Sequence, residues 1–243
     1  MIGIIGYGMV GKAVRCGFPT LPCIISDPAF NKINVDDVCA AKPMAIFVCV
    51  PTPTDSSNYS LLTNILARIQ QNHYMGLVIV KSTVLYTYIE RFDVIYNPEF
   101  LSRATFTEDF INPPLLLLGG NKAEQALQFY NNHSIVKTPH KYAVDLKTAS
   151  LVKYIMNSFY ALKITYMNMM YDVATECNAD YSLIAEILSK HPWMGSHHFK
   201  VPGPDGERGF GGPCLPKDTK AFAREFDLNL LFEILHLNTK YRT

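Results

Sequence analysis

The chain has 243 residues, 49% of them hydrophobic, which is enough to bury a core, so a globular fold is expected and disorder is not. With 22 Lys and Arg against 21 Asp and Glu, the net charge of +1 creates no field that would attract nucleic acid or an anionic membrane. The six cysteines form no CxxC pair and are too sparse for a disulfide scaffold, which favours reduced thiols and no zinc site. The start of the chain has no signal-peptide pattern and no apolar run approaches about 18 residues, so we expect a cytoplasmic protein.

In the first half, short β-branched runs alternate with helical stretches, which is typical of βαβ units around a parallel sheet. Most runs are continuously apolar, as expected for strands that helices cover on both faces. The pattern predicts a doubly wound parallel α/β sheet. Its strand candidates are MIGII, CIISD, AIFVCV, LVIVKS, DVIYN and LLLLGG.

From Asp145 onward the hydrophobic period changes to about 3.6 residues, which predicts one long helix from Thr148 to Cys177. Asn178 can adopt the left-handed conformation that closes a helix, and Asp180 can cap the next helix, YSLIAEILSK. A segment rich in glycine and proline follows, and then a last helical stretch. We therefore predict a smaller all-α domain over residues 141–243, after breakers in VKTPHKYAVD.

The segment GYGMVG, residues 6–11, fits the GxGxxG pattern, follows the first strand and opens a helix. In that setting Gly6 permits a tight turn, Gly8 lets the backbone approach a pyrophosphate, and Gly11 allows close packing of helix on strand. Asp27 ends the second strand roughly 20 residues later, where its carboxylate can accept hydrogen bonds from ribose hydroxyls or simply begin a turn. The pattern predicts a Rossmann-type domain over residues 1–140 that binds NAD rather than NADP. The predicted cofactor contacts are Gly6, Tyr7, Gly8, Met9, Val10, Gly11, Asp27, Val50 and Pro51.

The segment GFGGPCLPKD, residues 209–218, presents Cys214 in a loop that two prolines restrict and three glycines open to a ligand. Lys217 or another nearby cation could favour the thiolate, and Asp218 could hold or activate a water molecule. The loop therefore indicates a nucleophilic thiol, whereas the other cysteines are expected to be ordinary packing residues.

On the long helix, Lys153 and Asn157 lie four residues apart and share a face. They could offer a positive charge and an amide to a developing oxyanion, although the spacing alone also fits a solvated helix face. His197 and His198 form an adjacent pair without a third ligand, which fits a solvated loop better than a metal site.

Four motifs, GFGGPCLPKD, LVKYIMNSFYALKITYMN, KSTV and NPEFL, together with IGIIGYGMVG, resemble those of the UDP-glucose/GDP-mannose dehydrogenase family, in that family's order. The resemblance covers essentially the whole chain. It implies an NAD-dependent enzyme of the UDP-glucose 6-dehydrogenase type, which oxidises the C6 alcohol of a nucleotide sugar to a carboxylate in two steps and here would give UDP-glucuronate. GDP-mannose and N-acetylated UDP sugars are alternative substrates.

The resemblance also implies roles for the cysteine loop and the long helix. Cys214 would trap the intermediate aldehyde as a thiohemiacetal, which a second oxidation converts to a thioester for hydrolysis. Lys153 and Asn157 would stabilise the oxyanion, and Asp218 would hold the water used in proton transfer.

Two motifs of the first domain complete the implied site. Thr83 in KSTV would orient the water, and Glu99 in NPEFL would contact the substrate and assist thioester hydrolysis. Arg103 stands where many members carry a second glutamate, so the role of that glutamate is not carried over. The implied substrate contacts are Phe100, Leu101, Phe199 and Gly211.

Family members continue into a third domain that supplies much of the nucleotide contact, whereas this chain stops at LFEILHLNTKYRT, the start of a connecting helix. We therefore expect a high substrate KM, and either a separate chain that supplies this domain or a homodimer through the helical domain, with KITYMNMMYDV as a contact face. Two rival functions stay open. One is a 3-hydroxyacid dehydrogenase, which needs no cysteine loop, and the other is a non-catalytic NAD-binding subunit.

Overall fold

A computed structural model of the chain describes residues 1–52, 58–102 and 104–242. These residues form two compact units, one of residues 1–52 and 58–153 and the other of residues 154–242. In chain order the elements up to the start of the long helix are β1 (Ile2–Ile5), α1 (Met9–Gly17), β2 (Cys23–Ser26), α2 (Val35–Ala40), β3 (Ala45–Val48), α3 (Ser60–Gln71), β4 (Leu77–Val80), α4 (Tyr86–Ile89), β5 (Ile95–Tyr96), α5 (Phe106–Ile111), β6 (Leu116–Gly119), α6 (Ala123–His133) and β7 (Lys141–Val144). The elements that follow are α7 (Leu146–Glu176), α8 (Tyr181–Lys190), α9 (Leu215–Phe226) and α10 (Asn229–Tyr241).

The first unit is built on a seven-stranded sheet in the order β2-β1-β3-β4-β5-β6-β7. All neighbouring strands are parallel except β5 and β6, which pair antiparallel at Tyr96 and Gly119. The predicted doubly wound α/β fold is confirmed, with one antiparallel step that the sequence pattern did not indicate.

Both faces of this sheet are buried, as the continuously apolar runs predicted. In β3, Ala45 and Phe47 pack on one face with residues of α1 and α6, while Ile46 and Val48 pack on the other with residues of α2 and α3. All four side chains are fully buried. Burial of a large apolar side chain such as Phe47 contributes roughly 1.5–3 kcal/mol to stability.

Strand β7 extends the sheet beyond residue 140, where the sequence analysis placed the domain limit. It pairs parallel with β6, and its first two residues, Lys141 and Tyr142, are exposed, so it lacks the apolar run that marked the other strands. The start of α7 also packs on the first unit, because the Ser150 hydroxyl accepts the Tyr86 N–H at 3.0 Å and donates to the Val84 carbonyl at 3.2 Å. The first compact unit therefore ends at Lys153.

The chain changes direction across the sheet after β1, because β2 lies on one side of β1 and β3 lies on the other. In doubly wound sheets ligands bind outside the carboxyl ends of the strands at such a switch point. The GYGMVG segment follows β1 and therefore lies at this edge.

The second unit contains α8, α9, α10 and most of α7. Asn178, just after α7, has a φ of 53°, and the Asp180 carboxylate accepts the N–H groups of Ser182 and Leu183, so both predicted helix-end roles are confirmed. The last helical stretch is two helices, with Asp227 in the left-handed conformation at the end of α9. None of the helices in the described parts of the chain has the length and apolar composition needed to cross a membrane.

Candidate active site

In the glycine turn after β1, two glycines are packed tightly against other backbone atoms and the third has free space around it. Gly6 has a φ of 89°, and a Cβ there would lie 2.7 Å from the carbonyl oxygen of Cys49. A Cβ on Gly11 would lie 2.1 Å from the Gly6 carbonyl oxygen, so α1 approaches the strand end as closely as only glycine allows. Gly8 is exposed, and a Cβ there would meet no described atom within 4 Å. The open side, at the N-terminus of α1, fits a pyrophosphate.

Asp27 reaches from the end of β2 to the glycine turn. Its Oδ2 accepts the Tyr7 N–H at 2.6 Å, and its Oδ1 accepts the Ala29 N–H at 2.8 Å. The Asp27 carboxylate thus orders the glycine turn. It also begins a local turn, which was the alternative prediction for this residue. Each oxygen keeps a second lone pair for a ribose hydroxyl, and the negative charge disfavours a 2′-phosphate.

The remaining predicted cofactor contacts lie beside this turn. Met9 and Val10 form the first turn of α1, and Val50 and Pro51 follow β3, where the Val50 nitrogen would lie 3.0 Å from a Cβ on Gly6. The Ser82 hydroxyl, in the KSTV motif, donates to the Val50 carbonyl at 2.6 Å. Ser82, for which the sequence predicted no role, therefore holds the segment after β3 in place. Thr83, the next residue, is buried.

Glu99 and Lys153 form a buried pair within the first unit, with side chains 11% and 5% exposed. The Lys153 Nζ donates to the Glu99 carbonyl oxygen at 2.6 Å and lies 3.3 Å from Glu99 Oε1. Glu99 Oε2 accepts the Leu101 N–H at 2.8 Å, and the Phe100 ring centroid lies 5.1 Å from the Lys153 Nζ. Burial acts to raise the pKa of Glu99, but Lys153, the Leu101 N–H and Lys81 together lower it below its ordinary value. Glu99 is therefore a carboxylate at neutral pH.

A buried polar network that the sequence analysis missed lies next to this pair. The Lys81 Nζ and the Tyr130 hydroxyl both donate to Asn97 Oδ1, at 2.9 and 2.7 Å, and Asn97 Nδ2 donates to the Leu117 carbonyl at 2.8 Å. Burial lowers the pKa of Lys81 to about 8. Lys81 and Glu99 both line a cavity of about 20 Å³, which can hold about one water molecule. The sequence did contain a signal for this network. Lys81 in KSTV and Asn97 in NPEFL each directly follow an apolar strand run.

In the second unit, Cys214 is exposed at the N-cap of α9, and Pro216 lies in the first turn of that helix. The Cys214 carbonyl oxygen accepts the Asp218 N–H at 2.8 Å, so the helix holds the carbonyl side of the cysteine backbone. Gly209 and Gly212, before it, have φ values of 69° and 75°. Two of the three glycines of this motif therefore serve left-handed backbone conformations.

Asp218 is almost completely buried, with 1% of its surface exposed, and two polar side chains hold it. Its Oδ2 accepts Asn157 Nδ2 at 2.6 Å, and its Oδ1 accepts the Lys217 Nζ. The structure thus brings Asn157 together with Asp218, two residues expected to act in one site. Lys217, expected to act on the thiol, pairs with Asp218.

A cavity of about 1020 Å³ lies in the second unit, large enough for a nucleotide-sized ligand. Phe199 and Gly211, two predicted substrate contacts, line it. Arg242 also lines it, donates to Asp205 Oδ2 at 2.6 Å, and lies so close to Gly211 that a Cβ there would be 2.4 Å from its Nη1. Arg242 was missed because the last residues were read only as a helix.

Two other predictions concern Arg103 and the adjacent pair of histidines. Arg103 lies outside the described residues. His197 and His198 line the large cavity, and in the part of the chain that the structure describes no group of three His, Cys, Asp or Glu side chains could hold a metal ion.

The switch-point sheet, the glycine turn and Asp27 define a dinucleotide-binding domain of the dehydrogenase type. Family models of the UDP-glucose/GDP-mannose dehydrogenase family match the chain in its two parts, the NAD binding domain over residues 34–138 and the central domain over residues 147–240. The chain belongs to the UDP-glucose/GDP-mannose dehydrogenase family, and its first domain is an NAD-binding domain. Both were predicted and are confirmed.

Individual relatives agree with this assignment. The UDP-glucose 6-dehydrogenase of Rickettsia felis is 30% identical over 213 residues, which are 81% of this chain and 45% of the relative. The UDP-glucose 6-dehydrogenase TuaD of Bacillus subtilis is 26% identical over 220 residues, or 81% and 46% of the two chains. The chain thus spans about half the length of these curated relatives.

Solved structures show the same fold. A UDP-glucose dehydrogenase from the hyperthermophilic archaeon Pyrobaculum islandicum superposes with a TM-score of 0.83 at 23% identity, over 98% of this chain and 68% of that one. A UDP-D-ManNAc dehydrogenase from Pyrococcus horikoshii gives a TM-score of 0.82 at 19% identity, over 99% and 68%.

Proposed function

We propose that this chain carries the cofactor and cysteine sites of an NAD-dependent nucleotide-sugar 6-dehydrogenase that oxidises UDP-glucose to UDP-glucuronate. The observation that carries the proposal is an exposed thiol, Cys214, at the N-cap of a helix whose first turn also presents the buried, hydrogen-bonded Asp218. The names of the matched curated relatives support UDP-glucose over GDP-mannose and N-acetylated UDP sugars.

The residues of the first unit fit NAD. Gly8 leaves room for the pyrophosphate at the start of α1, and Asp27 would accept hydrogen bonds from the ribose. When bound there, NAD would supply the hydride acceptor, and two NAD molecules in succession would serve the two oxidations.

Cys214 would carry the covalent intermediate. A helix N-terminus stabilises negative charge, which suits a thiolate at the cap of α9. The sulfur adds to the aldehyde carbon from the first oxidation, the carbonyl oxygen takes a proton, and a thiohemiacetal forms. After the second oxidation the carbon is a thioester, which water cleaves to the carboxylate and the original thiol. Overall, one alcohol and one water give one carboxylate, two hydrides leave, and three protons are released.

Two polar side chains proposed to act in these steps have N–H groups that are not used in hydrogen bonds among the described residues. One N–H of the Asn157 amide is used by Asp218, which leaves the other for an oxyanion. The Lys153 ammonium donates one N–H to the Glu99 carbonyl oxygen and forms an ion pair with the Glu99 carboxylate, so a further N–H is available to the oxyanion. Asp218 would hold the water used in proton transfer, and Thr83 would orient it. Glu99, a carboxylate at neutral pH, would assist attack of water on the thioester.

Each unit contains residues that we propose as substrate contacts. Phe100 and Leu101 adjoin Glu99 in the first unit, and Phe199 with Gly211 lines the large cavity of the second. The Lys163 Nζ lies 3.9 Å from the ring centroid of Phe199, which lines this cavity, and Arg242, paired with Asp205, lines it as well, so these cations suit a diphosphate.

We also propose a homodimer through α7. Its large apolar side chains, spaced three, four or seven residues apart along one face, are 40% to 56% exposed, although such residues are usually buried. A second copy of the chain would cover this α7 stripe, which overlaps the predicted contact face. The α7 stripe consists of Ile155, Phe159, Tyr166, Met169 and Val173.

The proposed activity is tested by NADH formation from NAD with UDP-glucose, GDP-mannose or UDP-N-acetylglucosamine, at protein concentrations that allow dimers. We expect turnover with UDP-glucose and a loss of about 1,000-fold or more in Cys214→Ser, because a covalent nucleophile cannot be bypassed. Cys177→Ser, at another exposed cysteine, is the matched control and should retain wild-type rates. No turnover with any nucleotide sugar would contradict the proposal.

The same assay separates the two rivals. Oxidation of a 3-hydroxyacid that survives Cys214→Ser would favour the hydroxyacid dehydrogenase. Calorimetric binding of NAD without binding of any sugar nucleotide would favour a non-catalytic subunit.

A further inference from the structure

The backbone that leads into Cys214 rests on the last turns of α10. Gly209 packs so tightly that a Cβ there would lie 2.4 Å from Asn238 Oδ1 and 3.1 Å from the Tyr241 Cβ. Gly211 packs in the same way against the guanidinium group of Arg242. A helix that follows the cysteine in sequence therefore forms the floor beneath the loop that precedes it.

Asn238 holds this loop through a two-point contact with one residue. Its Oδ1 accepts the Phe210 N–H at 2.8 Å, and its Nδ2 donates to the Phe210 carbonyl oxygen at 2.9 Å. The amide side chain thus pairs with a backbone unit as a neighbouring strand would. Phe210 is 1% exposed, so loss of either bond would leave a buried backbone polar group without this partner.

The segment just before Phe210 has several independent supports. Asn168 Oδ1 accepts the Gly209 N–H at 3.1 Å, and Arg208 donates to Asp172 Oδ1 at 2.6 Å. The Arg208 guanidinium also contacts the rings of Tyr171 and Tyr241, with its carbon 5.1 and 4.5 Å from their centroids. Removal of one of these contacts leaves the others in place.

The segment after Phe210 depends instead on how its two ends are held. Gly211, Gly212 and Pro213 separate Phe210 from Cys214, and Gly212 has a φ of 75°. Glycine restricts the backbone least of all residues. This stretch therefore holds Cys214 in a defined position only while both of its ends are fixed. The start of α9 fixes one end and Asn238 fixes the other.

We infer that Asn238 is a positioning residue, which holds the Cys214 thiol in place through the backbone of Phe210. Its effect on turnover rests on the proposed function, whereas its effect on the loop does not. Loss of the clamp lets the thiol sample positions about 1 Å or more away, and displacement on that scale lowers kcat by about 10-fold to 100-fold. NAD is bound by the first unit, so its KM should not change.

The test compares Asn238→Ala and Asn238→Asp with Leu231→Ala. Leu231 is a buried residue of α10 that makes no hydrogen bond to the loop through its side chain, so its truncation destabilises the same helix without removing the clamp. Hydrogen exchange of the loop peptide over residues 205–216 is measured by mass spectrometry, alongside kcat, KM for NAD and the thermal midpoint. Asn238→Asp keeps the acceptor for the Phe210 N–H, and protonation of its carboxyl group restores a donor to the Phe210 oxygen.

For Asn238→Ala we expect about 10-fold or faster exchange in the loop peptide and a kcat lowered by about 10-fold to 100-fold, with KM for NAD unchanged. Leu231→Ala should lower the thermal midpoint at least as much but keep wild-type loop exchange and kcat. Relative to wild type at each pH, exchange in Asn238→Asp should slow again as its carboxyl group becomes protonated.

Equal loop exchange in Asn238→Ala and Leu231→Ala would overturn the inference, as would fast exchange with unchanged kcat in an active enzyme. If the wild-type protein turned over no nucleotide sugar, the proposed function would fail. The exchange comparison and its rescue in Asn238→Asp would still decide the role of Asn238 in the loop.

Discussion

The Lys153 Nζ lies 2.6 Å from the carbonyl oxygen of Glu99 and 3.3 Å from its carboxylate Oε1. Both side chains are almost buried, so neither charge is well solvated by water. The two residues belong to motifs 54 positions apart, and their pairing ties the start of α7 to the segment after β5. A pair of this kind supports the fold of the first unit and, in the proposed reaction, supplies both a cation and a carboxylate.

Removal of one partner should destabilise the protein strongly. Lys153→Met leaves the Glu99 carboxylate buried without its cation, which we expect to cost about 3–5 kcal/mol, and Lys153→Met with Glu99→Gln should recover part of that loss. The matched control on the same helix is Lys147→Met, whose ion pair with Glu90 is long, at 4.0 Å, and exposed, so it should cost less than about 1 kcal/mol. Urea denaturation measures all three. Equal losses for Lys153→Met and Lys147→Met would contradict this account of the pair.

The buried Lys81 should make the free energy of unfolding depend on pH in the alkaline range. Burial lowers its pKa to about 8, whereas the amine has a pKa of about 10.4 in an unfolded chain. Between these values the unfolded state binds a proton that the native state does not, so the contribution of Lys81 to stability rises with pH. Cys49 acts in the opposite direction, because burial raises its pKa to about 12 and its unfolded thiol ionises first.

A comparison of variants isolates the lysine. Lys81→Met removes the penalty of a buried charge, so its stability relative to wild type should be greatest below about pH 8 and fall by about 3 kcal/mol by about pH 10.5. Lys147→Met, at an exposed lysine, should follow the wild-type profile. The measurement is denaturant unfolding at a series of pH values. A constant difference between Lys81→Met and wild type would show that Lys81 titrates as an ordinary lysine.

Substitutions at two glycines of the same turn should have different effects, one on stability and the other on NAD binding. Gly11→Ala would place a Cβ 2.1 Å from the Gly6 carbonyl oxygen, so we expect a loss of about 1–3 kcal/mol in stability. Gly8→Ala meets no described atom within 4 Å and should change stability by less than about 1 kcal/mol, yet weaken NAD at least about 10-fold by blocking the pyrophosphate. Thermal unfolding and NAD titration measure both. If Gly8→Ala bound NAD as tightly as wild type, the turn would not be the pyrophosphate site.

The α7 stripe should control the oligomeric state. Phe159→Asp places a charge in the middle of the proposed contact and should weaken dimerisation at least about 10-fold, because a desolvated unpaired carboxylate opposes association. Met75→Asp is the control, since Met75 is 86% exposed and lies outside the stripe, so it should leave the dimer intact. Sedimentation equilibrium gives the dissociation constants. A wild-type protein that stays monomeric, or equal behaviour of the two variants, would rule out this dimer.

Features encoded locally were predictable from the sequence. The buried strands, the glycine turn, the left-handed Asn178 and the cap at Asp180 each depend on residues within one short segment. Strand β7 was missed because it lies at the edge of the sheet with Lys141 and Tyr142 exposed, so no apolar run marks it. The family resemblance then supplied functional roles that spacing alone did not.

Contacts between distant segments were not predictable in this way. The bond from Tyr130 to Asn97 joins residues 33 positions apart, and the clamp of Asn238 on Phe210 spans 28 positions. Hydrophobic periodicity reports which face of an element is buried, but it does not report which polar side chain meets a given backbone group. An asparagine near the end of a helix therefore looked ordinary until the fold placed it under the cysteine loop.

The most direct test of the account is to look for the covalent intermediate itself. The Glu99→Gln variant, incubated with NAD and UDP-glucose, should slow hydrolysis and accumulate a sugar-nucleotide adduct, which peptide mass spectrometry should place on Cys214, while wild-type enzyme should form two NADH for each UDP-glucuronate. Continued formation of UDP-glucuronate by Cys214→Ser, with no adduct on any variant, would contradict the account.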